Sequence, residues 1–225
     1  MNVRPYLITA AVVVLLMLGI SAWAWPQIPA GVQVPIHWGI DGQANGWASK
    51  PIALFGVPLL TAGIALLLAF APRFDPRYGN VARSATAYLG VAFAVLVLML
   101  VIHSAAILAA TGRAIEIGTV ARLAVGSLLI VVGNFLGKTR SSWVFGIRTP
   151  WTLSSERSWA RTHRLGGYLF MLVGAASIVA GVFAPQGVAA VVLLVGLGVV
   201  VVTVAVYSYL VWRTDPDRQQ TGSAQ

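Results

Sequence analysis

Residues 146–163 read GIRTPWTLSSERSWARTH. This stretch, called the signature stretch below, holds two tryptophans, three arginines, one histidine and one glutamate, whereas the chain after it is built mainly from Val, Leu, Ala and Gly. Charged and hydrogen-bonding groups are costly in hydrocarbon. We therefore expect the signature stretch to lie at a headgroup surface or to line a polar cavity, between segments that cross a membrane.

The composition is that of a multi-pass membrane protein. Of the 225 residues, 58% are apolar and only 9% are charged, against roughly 25% charged in a typical soluble protein. Segments that reach or approach the roughly 20 residues needed to cross the hydrocarbon core cover residues 5–25, 51–71, 86–110, 120–136, 165–184 and 188–212. The sequence thus predicts an all-α membrane protein with six transmembrane helices. The first segment ends in Trp-Ala-Trp-Pro and not in a small-residue cleavage site, so we expect a retained span.

The distribution of basic residues predicts the orientation. If the N-terminus is inside, Lys50, Arg113 and Arg122 fall on the outer side, and the remaining Lys and Arg fall in cytoplasmic connections or tails. Lys and Arg are enriched in cytoplasmic loops, so we predict that both termini are cytoplasmic. The net charge of +9 then reflects contact with anionic lipid. No soluble domain is long enough to bind nucleic acid, so we expect no direct nucleic-acid contact.

Two long connections organise the chain. A structured outer loop at 26–50 carries the turn signals Asp41-Gly42 and Asn45-Gly46 around a short alternating run, residues 34–38. An amphipathic inner loop at 137–164 contains the signature stretch. We expect a two-span module at 1–71, a four-span module at 72–212 and a disordered tail at 213–225.

Within the inner loop, the sequence predicts a short interfacial helix that leads into the fifth span. Ser154 or Ser155 can cap this helix, and Glu156 in its first turn is favoured by the helix dipole. Trp159 and His163, four residues apart, lie on one face of it, and Arg157 and Arg161 lie on an adjacent face.

Three sequence blocks resemble the SdpI family of bacterial membrane proteins. They are PIHWGIDG at 35–42, FDPR at 74–77, and GIRTPWTL at 146–153 with Trp159 and His163 downstream. The third block is the most specific. One position departs from the pattern: relatives commonly carry Asn four residues before the glycine of GIRTPWTL, and this chain carries Ser142. A hydroxyl replaces one amide hydrogen bond but not both the donor and the acceptor.

The resemblance implies a function in immunity. Family members of this type are multi-pass proteins of the bacterial cytoplasmic (inner) membrane that protect against a secreted antimicrobial peptide. In the founding system the immunity protein also relays the presence of the toxin by recruiting a transcriptional repressor to the membrane. The partners implied are therefore a secreted peptide toxin and a cytoplasmic repressor protein, in addition to membrane lipid.

The signature stretch is the candidate binding site. The planar guanidinium of Arg148 can pair with a carboxylate, a peptide terminus or a lipid phosphate. Trp151 and Trp159 can form a peptide-contacting platform or belong to the interfacial aromatic belt. His163 is either a proton-sensitive switch or a hydrogen-bonded structural histidine. The candidate residues of the stretch are Arg148, Thr149, Pro150, Trp151, Glu156, Trp159 and His163.

Secondary candidates lie outside the stretch, namely His37, Trp38 and Asp41 in the outer loop, His103 in the third span and Asn134 in the fourth. One His and one Asp are too few ligands for a metal site, so we expect no metal. A polar group inside a span is a functional candidate by default. A hydrogen bond to a neighbouring helix is the alternative for both intramembrane residues.

No enzyme motif is present. The sequence lacks HExxH, GxSxG and a P-loop and contains no cysteine, so we expect neither an enzyme nor a cofactor. The alternative to immunity is a small secondary transporter or channel for an ion or amphipathic solute, with His103 and the inner-loop arginines along the path. The scarcity of polar residues inside the spans favours binding over transport.

Overall fold

The computed structural model describes residues 1–218. Eight helices and one two-stranded sheet form this part: α1 (Arg4–Ala24), β1 (Gln33–Trp38), β2 (Ala44–Ser49), α2 (Lys50–Phe70), α3 (Tyr78–Arg83), α4 (Ala85–Ala110), α5 (Ile117–Leu136), α6 (Pro150–Leu153), α7 (Glu156–Phe183) and α8 (Gln186–Arg213). Among these, α1, α2, α4, α5, α7 and α8 are long and apolar enough to cross a membrane. The prediction of six transmembrane helices is confirmed.

The long helices expose apolar side chains and bury small polar ones. Leu15 and Leu172 are each 66% exposed, whereas Ser21, Ser177 and Ser208 are fully buried. A soluble protein rarely leaves so large an apolar surface uncovered. In a bilayer the lipid tails cover that surface, and helices approach one another through small residues.

The closest helix contact is between α5 and α7, and glycine makes it possible. A Cβ atom added at Gly133 would lie 2.5 Å from the carbonyl oxygen of Gly167, and one added at Gly174 would lie 2.5 Å from the oxygen of Gly126. Two glycine pairs, spaced seven residues apart on each helix, therefore bring the backbones into contact. This packing fixes the end of α7 that carries the signature stretch against α5.

The outer loop forms a β-hairpin. β1 and β2 are antiparallel, with Gln33 opposite Ser49, and Gly42 takes a positive φ of 78° in the turn. The alternating run and the Asp41-Gly42 turn were correctly predicted. The second predicted turn was wrong, because Asn45-Gly46 lies within β2 and Gly46 pairs with His37, where the ladder is irregular.

The inner connection is shorter than predicted. The predicted interfacial helix and the fifth span are one helix, α7, which begins at Glu156. No proline or glycine interrupts the chain between Glu156 and Leu165, so nothing ends the first turns before the apolar run begins. The fourth span also starts earlier than residue 120, at Ile117.

The last helix extends to the first residue of the predicted tail. Arg213 still belongs to α8, and Asp215 is 96% buried, with 4% of its surface exposed. The hydroxyl of Ser155 donates a hydrogen bond to the Asp215 carboxylate. Residues 219–225 of the predicted disordered tail lie outside the described residues. The division into two modules at residue 71 stays a prediction. Helix α4 packs on α1 and α2 from the first predicted module and on α5 from the second.

Candidate functional site

A buried carboxylate anchors the loop that leads into the signature stretch. Asp75 follows the 3₁₀ turn Ala71–Phe74 and is 4% exposed. Its Oδ2 accepts hydrogen bonds from the Ser142 hydroxyl at 2.7 Å and from the backbone N–H groups of Trp143 at 2.9 Å and Val144 at 3.0 Å. Its Oδ1 accepts from the N–H of Arg77 at 2.7 Å. One side chain thus holds together two segments that are 67 residues apart in the chain.

These hydrogen bonds favour the ionised form of Asp75. Burial by itself would raise the pKa of the carboxyl, but the hydrogen bonds from Ser142 and from the backbone outweigh it and lower the pKa below its ordinary 3.8. The group is therefore a carboxylate at neutral pH. Ser142, where relatives commonly carry Asn, donates to this carboxylate and accepts from the N–H groups of Val144 and Phe145, each at 3.1 Å.

Two further side chains bind the inner loop, Arg77 just before α3 and Asn80 within it. The guanidinium of Arg77 donates to the hydroxyl of Ser141 and, at 2.9 Å, to the carbonyl of Leu153. The amide of Asn80 donates to the carbonyl of Ser141 at 2.9 Å. The α2–α3 connection and α3 therefore hold the inner loop at Ser141, before the GIRTPWTL block, and at Leu153, the last residue of the block.

Gly146, the first residue of that block, lies against a stacked pair of rings. Trp159 and His163 stack with a centroid distance of 3.9 Å and an interplanar angle of 19°. Gly146 has a φ of 114°, and an added Cβ would lie 2.5 Å from His163 Nε2 and 2.9 Å from the Trp159 ring. Both the backbone conformation and the close approach require glycine at this position.

Hydrogen bonds fix the stacked pair. His163 is fully buried, its Nδ1 lies 2.8 Å from the carbonyl of Trp159, and its Nε2 lies 2.9 Å from the N–H of Ile147. Because Nε2 must accept, Nδ1 carries the proton and the ring is neutral. The Trp159 indole donates to the carbonyl of Thr139 at 3.0 Å. This geometry favours the structural histidine over the proton-sensitive switch.

The remaining part of the block is tied to α7 and α8. Thr149 and Thr152 form a reciprocal capping box on α6, and the Thr149 hydroxyl lies 3.1 Å from that of Ser208 in α8. The hydroxyl of Ser158 donates to the carbonyl of Ser208 at 2.8 Å. Ser155 caps α7 by accepting from the N–H of Ser158, as the sequence predicted for Ser154 or Ser155.

A polar cleft of about 210 Å³ lies beside this network. Glu156 and Arg157 from the start of α7 line it, together with Arg77, Asp215 and Asp217. The hydrogen bond from Ser155 is the main cause that lowers the pKa of Asp215 below 3.8. The cleft carries both signs of charge, from Arg77 and Arg157 and from three carboxylates.

The structure separates the predicted site residues into two groups. Arg148, Pro150 and Glu156 are exposed, whereas Trp159 and His163 are buried, and Thr149 and Trp151 are half-buried. The two tryptophans do not form one platform, because Trp151 packs edge-on against Tyr209 while Trp159 stacks inside the bundle. The guanidinium of Arg148 donates to the carbonyl of Trp143 at 2.5 Å, which orients it at the surface.

In the outer loop, His37 and Asp41 do not come together. His37 Nδ1 lies 2.5 Å from the Asn45 amide oxygen, and Asp41 accepts from the N–H of Gln43 within its own turn. Trp38 ends β1 and pairs with Ala44. Each of these contacts serves the hairpin itself.

The two intramembrane candidates have different surroundings. His103 is 1% exposed, and its Nε2 lies 3.1 Å from both the carbonyl of Met17 and the hydroxyl of Ser21, which in turn donates to the carbonyl of Leu54. His103 and Ser21 together thus join α1, α2 and α4 by hydrogen bonds. This is the alternative in which the intramembrane histidine bonds to a neighbouring helix. Asn134 is exposed and accepts a long hydrogen bond, 3.4 Å, from the ammonium of Lys138.

Two residues were missed as site candidates. Asp75 was noted only within the FDPR block, and nothing local in the sequence indicates its contact with residues 142–144. Arg122 was counted on the outer side, but it lies inside α5, 6% exposed, and donates to the hydroxyl of Thr119 at 3.3 Å. The predicted segment 120–136 already contained Arg122, and a charged residue within a span was the signal that indicated it.

Comparisons with known proteins match two parts of the chain. Residues 138–208 match the model of the SdpI/YfhL protein family, and residues 12–62 match a domain of unknown function, DUF1648. Over 178 residues the chain is 24% identical to the immunity protein SdpI of Bacillus subtilis (strain 168), an alignment that covers 79% of this chain and 83% of that protein. The chain is thus similar to the SdpI/YfhL family over its second half and to one immunity protein along most of its length. No solved structure matches it.

The SdpI match covers most of the inner network. It runs from the loop held by Asp75, through the signature stretch and α7, to Ser208 in α8. Asp75 itself lies between the two matched ranges. The resemblance predicted from the sequence blocks is confirmed, and the six long apolar helices are those of a multi-pass membrane protein.

Proposed function

We propose that the protein is an immunity protein of the bacterial cytoplasmic membrane that protects its cell against a secreted antimicrobial peptide. The observation that carries this proposal is the similarity to the immunity protein SdpI along most of both chains. The buried contacts of the signature stretch support it, because a segment that only crossed from one span to the next would not need Asp75, Arg77 and Asn80 to fix its conformation.

In this proposal both termini are cytoplasmic, and the outer hairpin meets the peptide first. Short connections rich in Lys and Arg remain inside, which places the signature stretch on the inner face. The hairpin exposes Ile36, Ile40 and Trp47, each about half accessible. Exposed apolar side chains of this kind suit an amphipathic peptide that arrives at the outer surface.

The inner surface of the signature stretch is the second contact area. Arg148, Glu156, Arg157 and Arg161 are exposed there, on a support whose opposite side is the buried Trp159–His163 stack. Exposed arginines on a rigid base are typical of protein contact surfaces. We assign this surface to a cytoplasmic partner such as a repressor protein, recruited when the peptide is bound.

A survival assay tests the immunity function. A susceptible bacterial strain that expresses the protein should survive a secreted peptide encoded beside the protein's own gene, and the same strain with an empty vector should not. The rival transporter predicts instead that vesicles containing the protein accumulate solute or conduct ions, with no gain in survival. That second result would replace the immunity proposal.

A further inference from the structure

A second cleft lies between α5 and α7, away from the signature surface. Its volume is about 270 Å³, and its floor is formed by Gly133, Gly137 and Gly167, which lack side chains. Both Gly133 and Gly167 belong to the close contact of the two helices described above. The floor is therefore backbone, which the packing of α5 on α7 holds in place.

The polar groups around this cleft suit an anion. Lys138 and Arg164 line it from either side, and Asn134 and Tyr168 complete its polar lining. The lining contains no carboxylate, so the two cations are not neutralised within the cleft. An ammonium, a guanidinium and an amide N–H₂ together match the oxygens of a phosphate group.

The cleft lies at the boundary between the apolar spans and the polar connections. Lys138 comes two residues after the end of α5, and Arg164 is the last charged residue before the apolar run of α7. Both cations therefore lie at the same depth in the membrane, which is the depth of the lipid headgroups. Tyr168, one turn deeper and 63% exposed, has the position of an interfacial aromatic residue.

We infer that this cleft binds the phosphodiester of an anionic phospholipid. Lys138 and Arg164 contact the phosphate oxygens, Asn134 donates to the same group, and the acyl chains follow the apolar surface beside Tyr168 and Met171. A lipid held here braces the α5–α7 contact from the inner side. The site is separate from the immunity proposal, because none of its cations belongs to the signature surface.

Native mass spectrometry of the full-length protein in detergent tests this site. The protein is titrated with phosphatidylglycerol or phosphatidylcholine, and the bound lipids are counted. The double variant Lys138→Gln/Arg164→Gln should weaken the tightest phosphatidylglycerol site about tenfold. The matched control is Arg73→Gln/Arg83→Gln, which removes two exposed arginines from the α2–α4 connection and should leave that site unchanged.

Three results would overturn the inference. If the two double variants weaken phosphatidylglycerol binding equally, the lipid is attracted by basic residues in general and not by this cleft. Equal affinity for the two lipids would exclude recognition of the anionic headgroup. Displacement of the lipid by inorganic phosphate at millimolar concentration would indicate a free-phosphate site. Because Arg164 lies on a packed helix, Lys138→Gln is also measured alone and should weaken binding about threefold.

Discussion

The carboxylate of Asp75 accepts a 2.7 Å hydrogen bond from the hydroxyl of Ser142, and so joins the α2–α3 connection to the loop before the signature stretch. The same hydroxyl accepts two backbone N–H groups of that loop. Ser142 thus supplies both a donor and an acceptor, so the expectation that a hydroxyl would replace only one of the two was wrong.

Replacing Asp75 should loosen the inner loop. In Asp75→Asn, one carboxylate oxygen becomes an N–H₂ group that faces N–H and O–H donors, so at least one charged hydrogen bond is lost and a donor is left without an acceptor. We expect a loss of about 2–4 kcal/mol in the free energy of unfolding, measured by denaturation in detergent. Asp217→Asn, at an exposed carboxylate, is the control. A similar small effect of both variants would contradict the role of Asp75.

The stability of the protein should also depend on pH through Asp75. Its pKa is lowered in the folded protein relative to the ordinary value of 3.8. The stabilisation is therefore complete above the unfolded pKa and is lost as the pH falls below about 4 toward the folded pKa. Unfolding midpoints between neutral pH and pH 3 should fall more steeply for the unmodified protein than for Asp75→Asn. Parallel curves would mean that another group causes the acid sensitivity.

The glycine contact between α5 and α7 should not tolerate a methyl group. A Cβ at Gly133 would lie 2.5 Å from a backbone oxygen of α7, which no side-chain movement relieves. We expect Gly133→Ala to destabilise the protein by about 1–3 kcal/mol. Gly198→Ala, whose added Cβ meets nothing within 4 Å, should have little effect in the same thermal unfolding measurement. If the two variants unfold at the same temperature, the backbones of α5 and α7 are not in contact at Gly133.

Cysteine labelling tests the orientation. The chain has no cysteine, so a single introduced thiol is an unambiguous probe. Gln43→Cys at the hairpin turn and Ala160→Cys near the start of α7 are both exposed positions. An impermeant maleimide added to intact cells should label the first variant and not the second. Labelling of both from outside would refute cytoplasmic placement of the signature stretch.

Local patterns in the sequence predicted most of the fold. The apolar segments, the Ser155 cap and the Asp41-Gly42 turn each depend on neighbouring residues and were found where expected. The contact between Asp75 and Ser142 joins distant segments and follows no local rule. Trp159 was expected at the interface because tryptophan commonly lies there, but the continuity of α7 with the fifth span turns it inward.

The central claim is that protection requires the exposed surface of the signature stretch, through which the protein contacts its cytoplasmic partner, and Arg148 tests this claim most directly. Its guanidinium donates to the carbonyl of Trp143 and is exposed. In Arg148→Lys the positive charge remains. An ammonium, however, lacks the planar guanidinium geometry that lets Arg148 donate to the carbonyl of Trp143 and to a partner at the same time. The measurement is survival of cells exposed to the antimicrobial peptide, at matched membrane abundance of each variant. We predict that Arg148→Lys reduces protection about tenfold, whereas Arg83→Lys, at an exposed arginine outside the stretch, protects like the unmodified protein. Equal protection by the two variants would contradict the claim.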